Sequence, residues 1–122
     1  KMICPHCHGN GFLSSEDGQV TCPTCGGEGE IPVRKSITIE AGDLITGDRS
    51  ETHGPVDKNF KNIGALWGGY LDREVSPLDV GNMLALLKIA RTKTNPGHKD
   101  NYVDGAGYLG LNGELNVVEQ GE

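Results

Sequence analysis

Cys4, Cys7, Cys22 and Cys25 are the residues whose type and spacing most directly imply chemistry. They belong to two copies of one pattern, Cys4-Pro5-His6-Cys7-His8-Gly9-Asn10-Gly11 and Cys22-Pro23-Thr24-Cys25-Gly26-Gly27-Glu28-Gly29. Each copy reads Cys-x-x-Cys-x-Gly-x-Gly. Two residues between cysteines let the chain turn tightly and aim both sulfurs at one metal ion. The glycines that follow can adopt positive φ, which frees backbone amides to point at thiolate sulfur. Two such knuckles facing each other complete a tetrahedral four-sulfur site, closed to water and therefore structural, as expected for one zinc ion per chain. His6 and His8 lie beside the cysteines, but four thiolates already complete the ion, and neither histidine is assigned to it.

A second, more dispersed set consists of Arg49, His53, Asp79, Lys88, Arg91, Asp100 and Asp104. Asp100 and Asp104 stand four apart, so on a helix they share a face. Asp79 falls at the start of the preceding predicted helix, and antiparallel packing would bring it toward Asp104. The three carboxylates are then candidate catalytic residues able to hold Mg²⁺, with Arg49, Lys88 and Arg91 facing phosphates and His53 in a loop that closes over them. The competing reading is purely architectural. Asp79 would complement a helix dipole, and Lys88 and Arg91 would pair with Asp100 or Asp104 between helices. All four cysteines are committed to metal, so no nucleophile context remains.

The elements that position these residues follow from pattern and punctuation. Phe12-Leu13 and Gln19-Val20-Thr21 flank a polar stretch with a turn near Asp17-Gly18, which predicts a short hairpin. Pro32 stiffens a joint, and from Ser36 the periodicity becomes helical. Four helices are predicted: Ser36 to about Thr46, Val56 to Leu71, Pro77 to just before Asn95-Pro96-Gly97, and Lys99 to about Leu109. Ser76 before Pro77 is a strong helix start. Phe60, Ile63, Trp67 and Tyr70 or Leu71 form one apolar face, and the next helix carries Val80, Met83, Leu84, Leu87 and Ile89-Ala90. The fold class is mainly α, a small helical bundle preceded by a zinc-stabilised β-hairpin finger. The finger covers residues 1–34, the helical domain 35–113 and a polar tail 114–122. Gly64, Gly68, Gly69, Gly105 and Gly107 fall inside predicted helices, where close helix approach or a homodimer would account for them.

Composition sets the limits. The 122 residues include 19 glycines and are 35% hydrophobic and 5% aromatic, too few large apolar side chains for one large core. Metal binding must therefore supply much of the finger's folding energy. Net charge is −6. Residues 1–35 hold three Lys/Arg against four Asp/Glu, and the remainder eight against thirteen. Neither part has the basic surplus that drives binding to nucleic acid. No stretch is long and apolar enough for a membrane span, and a cytoplasmic location is expected.

The cysteine repeat resembles the cysteine-rich zinc domain of the DnaJ co-chaperones, where the same motif occurs four times and builds two zinc sites. No J-domain His-Pro-Asp signature accompanies it here, so the resemblance implies metal rather than chaperone activity. The order Gly47-Asp48-Arg49, His53-Gly54, Asn59-Phe60, Leu66-Trp67, Asp79-Val80, Leu87-Lys88-Ile89-Ala90-Arg91, His98-Lys99-Asp100 and Val103-Asp104 resembles a family of small phage and prophage proteins of unassigned function. That family is distantly similar to the all-α, MazG-like nucleoside triphosphate pyrophosphohydrolases. Those enzymes present a Glu-Glu-x-x-Glu helix and a later Glu-x-x-Asp pair. In this chain Asp79 stands where three acids are expected, and Asp100-x-x-x-Asp104 has a spacing of four. The resemblance implies a phage-type accessory protein that binds a nucleotide or phosphate ligand and hydrolyses it. The alternative is a non-enzymatic zinc-finger adaptor or inhibitor that binds a host protein partner.

Overall fold

The computed structural model describes residues 1–47 and 55–117. The chain divides into two compact units, Lys1–Ile39 and Glu40–Glu122. Four short strands come first: β1 (Met2–Ile3), β2 (Phe12–Ser15), β3 (Gly18–Thr21) and β4 (Glu30–Ile31). Four helices follow among the described residues: α1 (Val33–Thr46), α2 (Val56–Leu71), α3 (Pro77–Thr94) and α4 (Lys99–Asn116). The fold is thus mainly α, with two small antiparallel hairpins ahead of the helices. α1 contributes its first half to one unit and its second half to the other.

In the first unit β1 pairs with β4, Met2 opposite Ile31, and β2 pairs with β3, Phe12 opposite Thr21. The β2–β3 turn is Glu16-Asp17, one residue earlier than the sequence suggests, because Gly18 takes φ 109° and already pairs with Ser15. The buried cluster is Cys4, Cys7, Cys22 and Ile31, with Leu13, Cys25 and Ile39 packed on it. A core in which most of the buried residues are cysteines has little apolar area to stabilise it without metal.

The second unit is held by Phe60, Val80 and Leu111, with Ile45, Ile63, Trp67, Leu84 and Tyr108 packed around them. α3 and α4 pack against each other, and α2 lies on α3. The start of α3 is fixed by a capping box. Ser76 Oγ accepts from the Asp79 backbone N–H at 3.1 Å, and the Asp79 carboxylate accepts from the Ser76 N–H at 3.1 Å. Such reciprocal caps are worth about 1 kcal/mol. The buried Asn112 of α4 donates through Nδ2 to Leu78 O at 3.2 Å and Asn82 Oδ1 at 3.0 Å. These bonds set the start of α3 beside the end of α4, so the two helices run antiparallel.

Several expectations need adjustment. α4 runs seven residues beyond Leu109, to Asn116, because Leu111 and Asn112 are both buried against the bundle. α1 begins at Val33 rather than after a Ser36 cap, since Pro32 carries the first helical bonds and Ser36 is buried within the helix. Phe60, Ile63 and Trp67 do face the core, whereas Tyr70, Met83, Leu87 and Ile89 are exposed. The glycines of α2 permit close approach within the unit. A Cβ at Gly64 would stand 2.5 Å from Val75 O, and one at Gly68 2.7 Å from Arg73 O, both in the α2–α3 connection.

Candidate metal centre and phosphate groove

The two Cys-x-x-Cys knuckles put four sulfurs within 4.8 Å of one another. Cys4 Sγ lies 3.9 Å from Cys22 Sγ, and Cys7 Sγ lies 3.7 Å from Cys25 Sγ. A tetrahedral site with metal–sulfur bonds of about 2.3 Å has edges of about 3.8 Å, so the spacing is that of four ligands around one ion. The knuckles repeat in detail. Gly11 N–H donates to Cys7 Sγ at 3.2 Å, and Gly29 N–H donates to Cys25 Sγ at 3.2 Å. Gly11 and Gly29 hold φ of 85° and 78°, and a Cβ on either would come within 2.4 Å of a carbonyl oxygen of the opposite knuckle.

Thiolate chemistry follows from this arrangement. Burial pushes the Cys25 thiol up, but the Gly29 and Gly27 amides, with Cys7 and Cys22 beside it, outweigh burial and bring it down to about 7. Burial likewise raises Cys4, and the Cys7 and His6 backbone amides reverse the shift to a net lowering. Cys7 moves the other way. Burial raises it, and the neighbouring Cys25 and Cys4 sulfurs add to the rise against the Gly11 amide. A divalent cation would relieve this mutual repulsion by binding all four as thiolates. His6 and His8 lie outside this group of four. His6 Nδ1 stands 2.6 Å from Thr24 Oγ1, a link between the two knuckles.

In the helical unit the structure brings Lys88, Arg91, Asp100 and Asp104 together along an open groove of about 500 Å³ between α3 and α4, where His98 and Asn101 also lie. Lys88 and Asp104 form an ion pair at 2.9 Å, with Lys88 largely covered. His98 Nε2 is 3.9 Å from Asp100, and both are exposed. Among the described residues no ion pair occupies Arg91. Asp100 and Asp104 also wall a second groove of about 550 Å³, whose other acids are Glu40 and Asp43 of α1. Lys99 pairs with Glu40.

Asp79 does not join this site. Its carboxylate serves the capping box at the start of α3, and Lys88, the residue that meets Asp104, lies nine positions further on, about 14 Å by helical rise. α3 and α4 do run antiparallel, but this sets Asp79 beside the end of α4, near Asn112, and not beside Asp104. Arg49 and His53 lie outside the described residues. Sequence reasoning passed over Glu40 and Asp43. Their three-residue spacing on a helix was a usable signal, but no partner element in the sequence drew attention to it. It also gave Asn101 no role. Among the described residues no carboxylate trio comes as close as the four sulfurs do, so the acids by themselves form no tight cage.

Comparison with known proteins places these observations in a family. Residues 36–116 match a domain of unknown function, DUF6378. The chain belongs to this family. The DUF6378 match includes every acid and base of the groove, and the zinc-type knuckles precede it. The chain is 46% identical over 76 residues to the Gene 55 protein of Mycobacterium phage D29, covering 62% of this chain and 50% of that protein. It is 40% identical over 85 residues to the Gene 55 protein of Mycobacterium phage L5, covering 69% of this chain and 54% of that one. The chain thus spans about half the length of these curated relatives. Both are phage proteins, in accord with the phage-type resemblance read from the sequence. No solved structure matches. No described helix is long and apolar enough to cross a membrane.

Proposed function

We propose that the DUF6378 domain binds a phosphate-bearing ligand of the nucleotide class together with Mg²⁺, and that the finger holds one structural zinc ion through Cys4, Cys7, Cys22 and Cys25. One observation carries the reading of the helical domain. Asp100 and Asp104 form a shared wall between a groove bearing Lys88 and Arg91 and a groove bearing Glu40 and Asp43. A ligand with phosphates needs cations on one side and a metal on the other, and this wall sets the two side by side. The acids are too far apart to form a cage alone, which suits Mg²⁺. That ion keeps several waters and is commonly held by one or two carboxylates plus substrate phosphate oxygens.

The distant resemblance to MazG-like pyrophosphohydrolases supports the same reading, with Glu40-x-x-Asp43 on α1 providing acids that α3 lacks. In that case Asp100 and Asp104 would position the metal, and Lys88 and Arg91 would take the charge of the leaving pyrophosphate. The test is to incubate zinc-loaded protein with Mg²⁺ and each common ribo- and deoxynucleoside triphosphate, following binding and pyrophosphate release. Turnover that disappears in Asp104→Asn is the expected result for an enzyme. Binding without turnover makes the domain a nucleotide sensor, and neither removes the proposal.

A second reading has its own observation. Leu86 and Ile89 of α3 and Leu109 of α4 are more than half exposed, at 59%, 57% and 54%. Exposed apolar side chains on paired helices mark protein contact surfaces. In that reading the chain is an adaptor, and affinity capture from host lysate recovers one stoichiometric partner whose binding is lost in Ile89→Lys.

A further inference from the structure

The sequence contains two Asn-Gly pairs, Asn10-Gly11 in the first knuckle and Asn112-Gly113 in α4. Asparagine before glycine is the dipeptide most prone to cyclise, because no side chain on the second residue hinders its backbone nitrogen. The structure puts the two pairs in opposite situations. Asn112 is buried in the helical unit, its Nδ2 bonded to Leu78 O and Asn82 Oδ1, and Gly113 lies within the helix. Asn10 is exposed on a bend of the finger. Gly11 beside it is buried and bonded on both sides. Its N–H donates to Cys7 Sγ at 3.2 Å, and its carbonyl accepts from the Cys22 N–H at 3.0 Å. The second knuckle has Glu28 at the position matching Asn10, so only the first can undergo this chemistry.

From this contrast we infer that Asn10-Gly11 is a self-modification site guarded by the metal. With the ion bound, Cys7 thiolate holds the Gly11 N–H and the nitrogen stays committed to sulfur. Without it, a buried cluster of three cysteines and Ile31 has little to hold it together, and the pair is released. The Gly11 nitrogen then attacks the Asn10 side-chain carbonyl carbon. A new C–N bond closes a succinimide ring, and the side-chain nitrogen leaves as ammonia, taking up the Gly11 amide proton. Water opens the ring at either carbonyl, giving aspartate or isoaspartate. Isoaspartate adds a methylene to the backbone directly before Gly11, whose φ is 85° and which has no room for a Cβ against the Gly27 carbonyl. The lengthened knuckle cannot restore the Cys7 and Cys22 bonds of Gly11 together, so metal loss becomes irreversible. The inference rests on the zinc reading of the finger and adds a one-way covalent step to it.

The test follows the full chain at one fixed pH, under a reductant that keeps the thiols free, with zinc bound or stripped by a strong chelator. Peptide mass spectrometry reads conversion at Asn10 and Asn112, and methylation by protein isoaspartate methyltransferase reads the isoaspartyl product. Asn10 is expected to convert at least about tenfold faster in the stripped protein, while Asn112 converts slowly in both. Zinc returned to freshly stripped chain should refill the site, whereas the isoaspartyl chain should bind zinc at least about tenfold more weakly. Asn10→Gln, which closes the ring poorly, should recover zinc fully after the same long incubation. Asn10→Ser serves if glutamine disturbs the knuckle. Equal Asn10 rates with and without zinc, or full zinc recovery by the isoaspartyl chain, overturn the inference. A fresh chain that takes up no zinc overturns instead the metal reading beneath it.

Discussion

Lys88 and Asp104 join two helices of the bundle and, in the proposed reading, also face the ligand. The pair joins α3 to α4 at 2.9 Å, with Lys88 at 15% and Asp104 at 33% side-chain exposure. Partial burial places its worth between that of an exposed pair, about 0–1 kcal/mol, and the larger cost of stranding a buried charge. Asp104→Asn should destabilise the helical domain by about 1–2 kcal/mol, and Lys88→Gln by a similar or smaller amount. The double variant should cost less than the sum of the two, because neither charge is then stranded. Urea unfolding of the four proteins measures the cycle, and strictly additive losses would show that the pair contributes nothing to stability. The architectural reading of the sequence paired Lys88 and Arg91 with Asp100 or Asp104 between helices, and the structure selects Lys88 with Asp104. It did not foresee that Glu40 and Asp43 would share Asp104's groove, since that depends on where α1 passes over α4, a long-range contact without a local signal.

Helix existence and type were legible from periodicity and punctuation. Ser76-Pro77 marked the start of α3, and Asn95-Pro96-Gly97 its end. The end of α4 was not legible. The sequence ends the helix near Leu109, and the burial of Leu111 and Asn112 against the rest of the bundle carries it to Asn116. Tertiary packing likewise decides the meaning of adjacent glycines in α2. By propensity alone, Gly68→Ala and Gly69→Ala would each stabilise the helix by up to about 1 kcal/mol. A Cβ at Gly68 meets the backbone oxygen of Arg73 at 2.7 Å, while one at Gly69 meets nothing within 4 Å. Gly69→Ala should therefore raise the melting temperature and Gly68→Ala lower it. Thermal unfolding of both variants checks the contrast, and a gain at Gly68 would mean that the α2–α3 connection yields freely.

At the scale of the whole molecule, the two units depend on different stabilising forces. The finger's buried cluster is Cys4, Cys7, Cys22 and Ile31, whereas the helical unit has a conventional apolar cluster around Phe60, Val80 and Leu111. Removing zinc with a strong chelator should release one metal ion per chain and abolish hydrogen-exchange protection across residues 1–31. Protection in α3 and α4 should persist, because their hydrogen bonds and packing lie within the second unit. Loss of protection in both units together would show that the helices fold only with the finger. The four-cysteine cluster was legible from the sequence because Cys4, Cys7, Cys22 and Cys25 lie in one internal repeat, and close spacing leaves the chain few ways to arrange them. The groove was legible only in part, because its residues come from three helices and meet only through packing.

Calorimetric titration of nucleoside triphosphates with Mg²⁺ into zinc-loaded wild type and Asp104→Asn tests the phosphate site most directly. Saturable binding of at least one nucleotide, weakened about tenfold or more in Asp104→Asn while melting shows both proteins folded, is the expected result. Folded wild-type protein that takes up none of the nucleotides, with or without Mg²⁺, would contradict it and leave the adaptor reading.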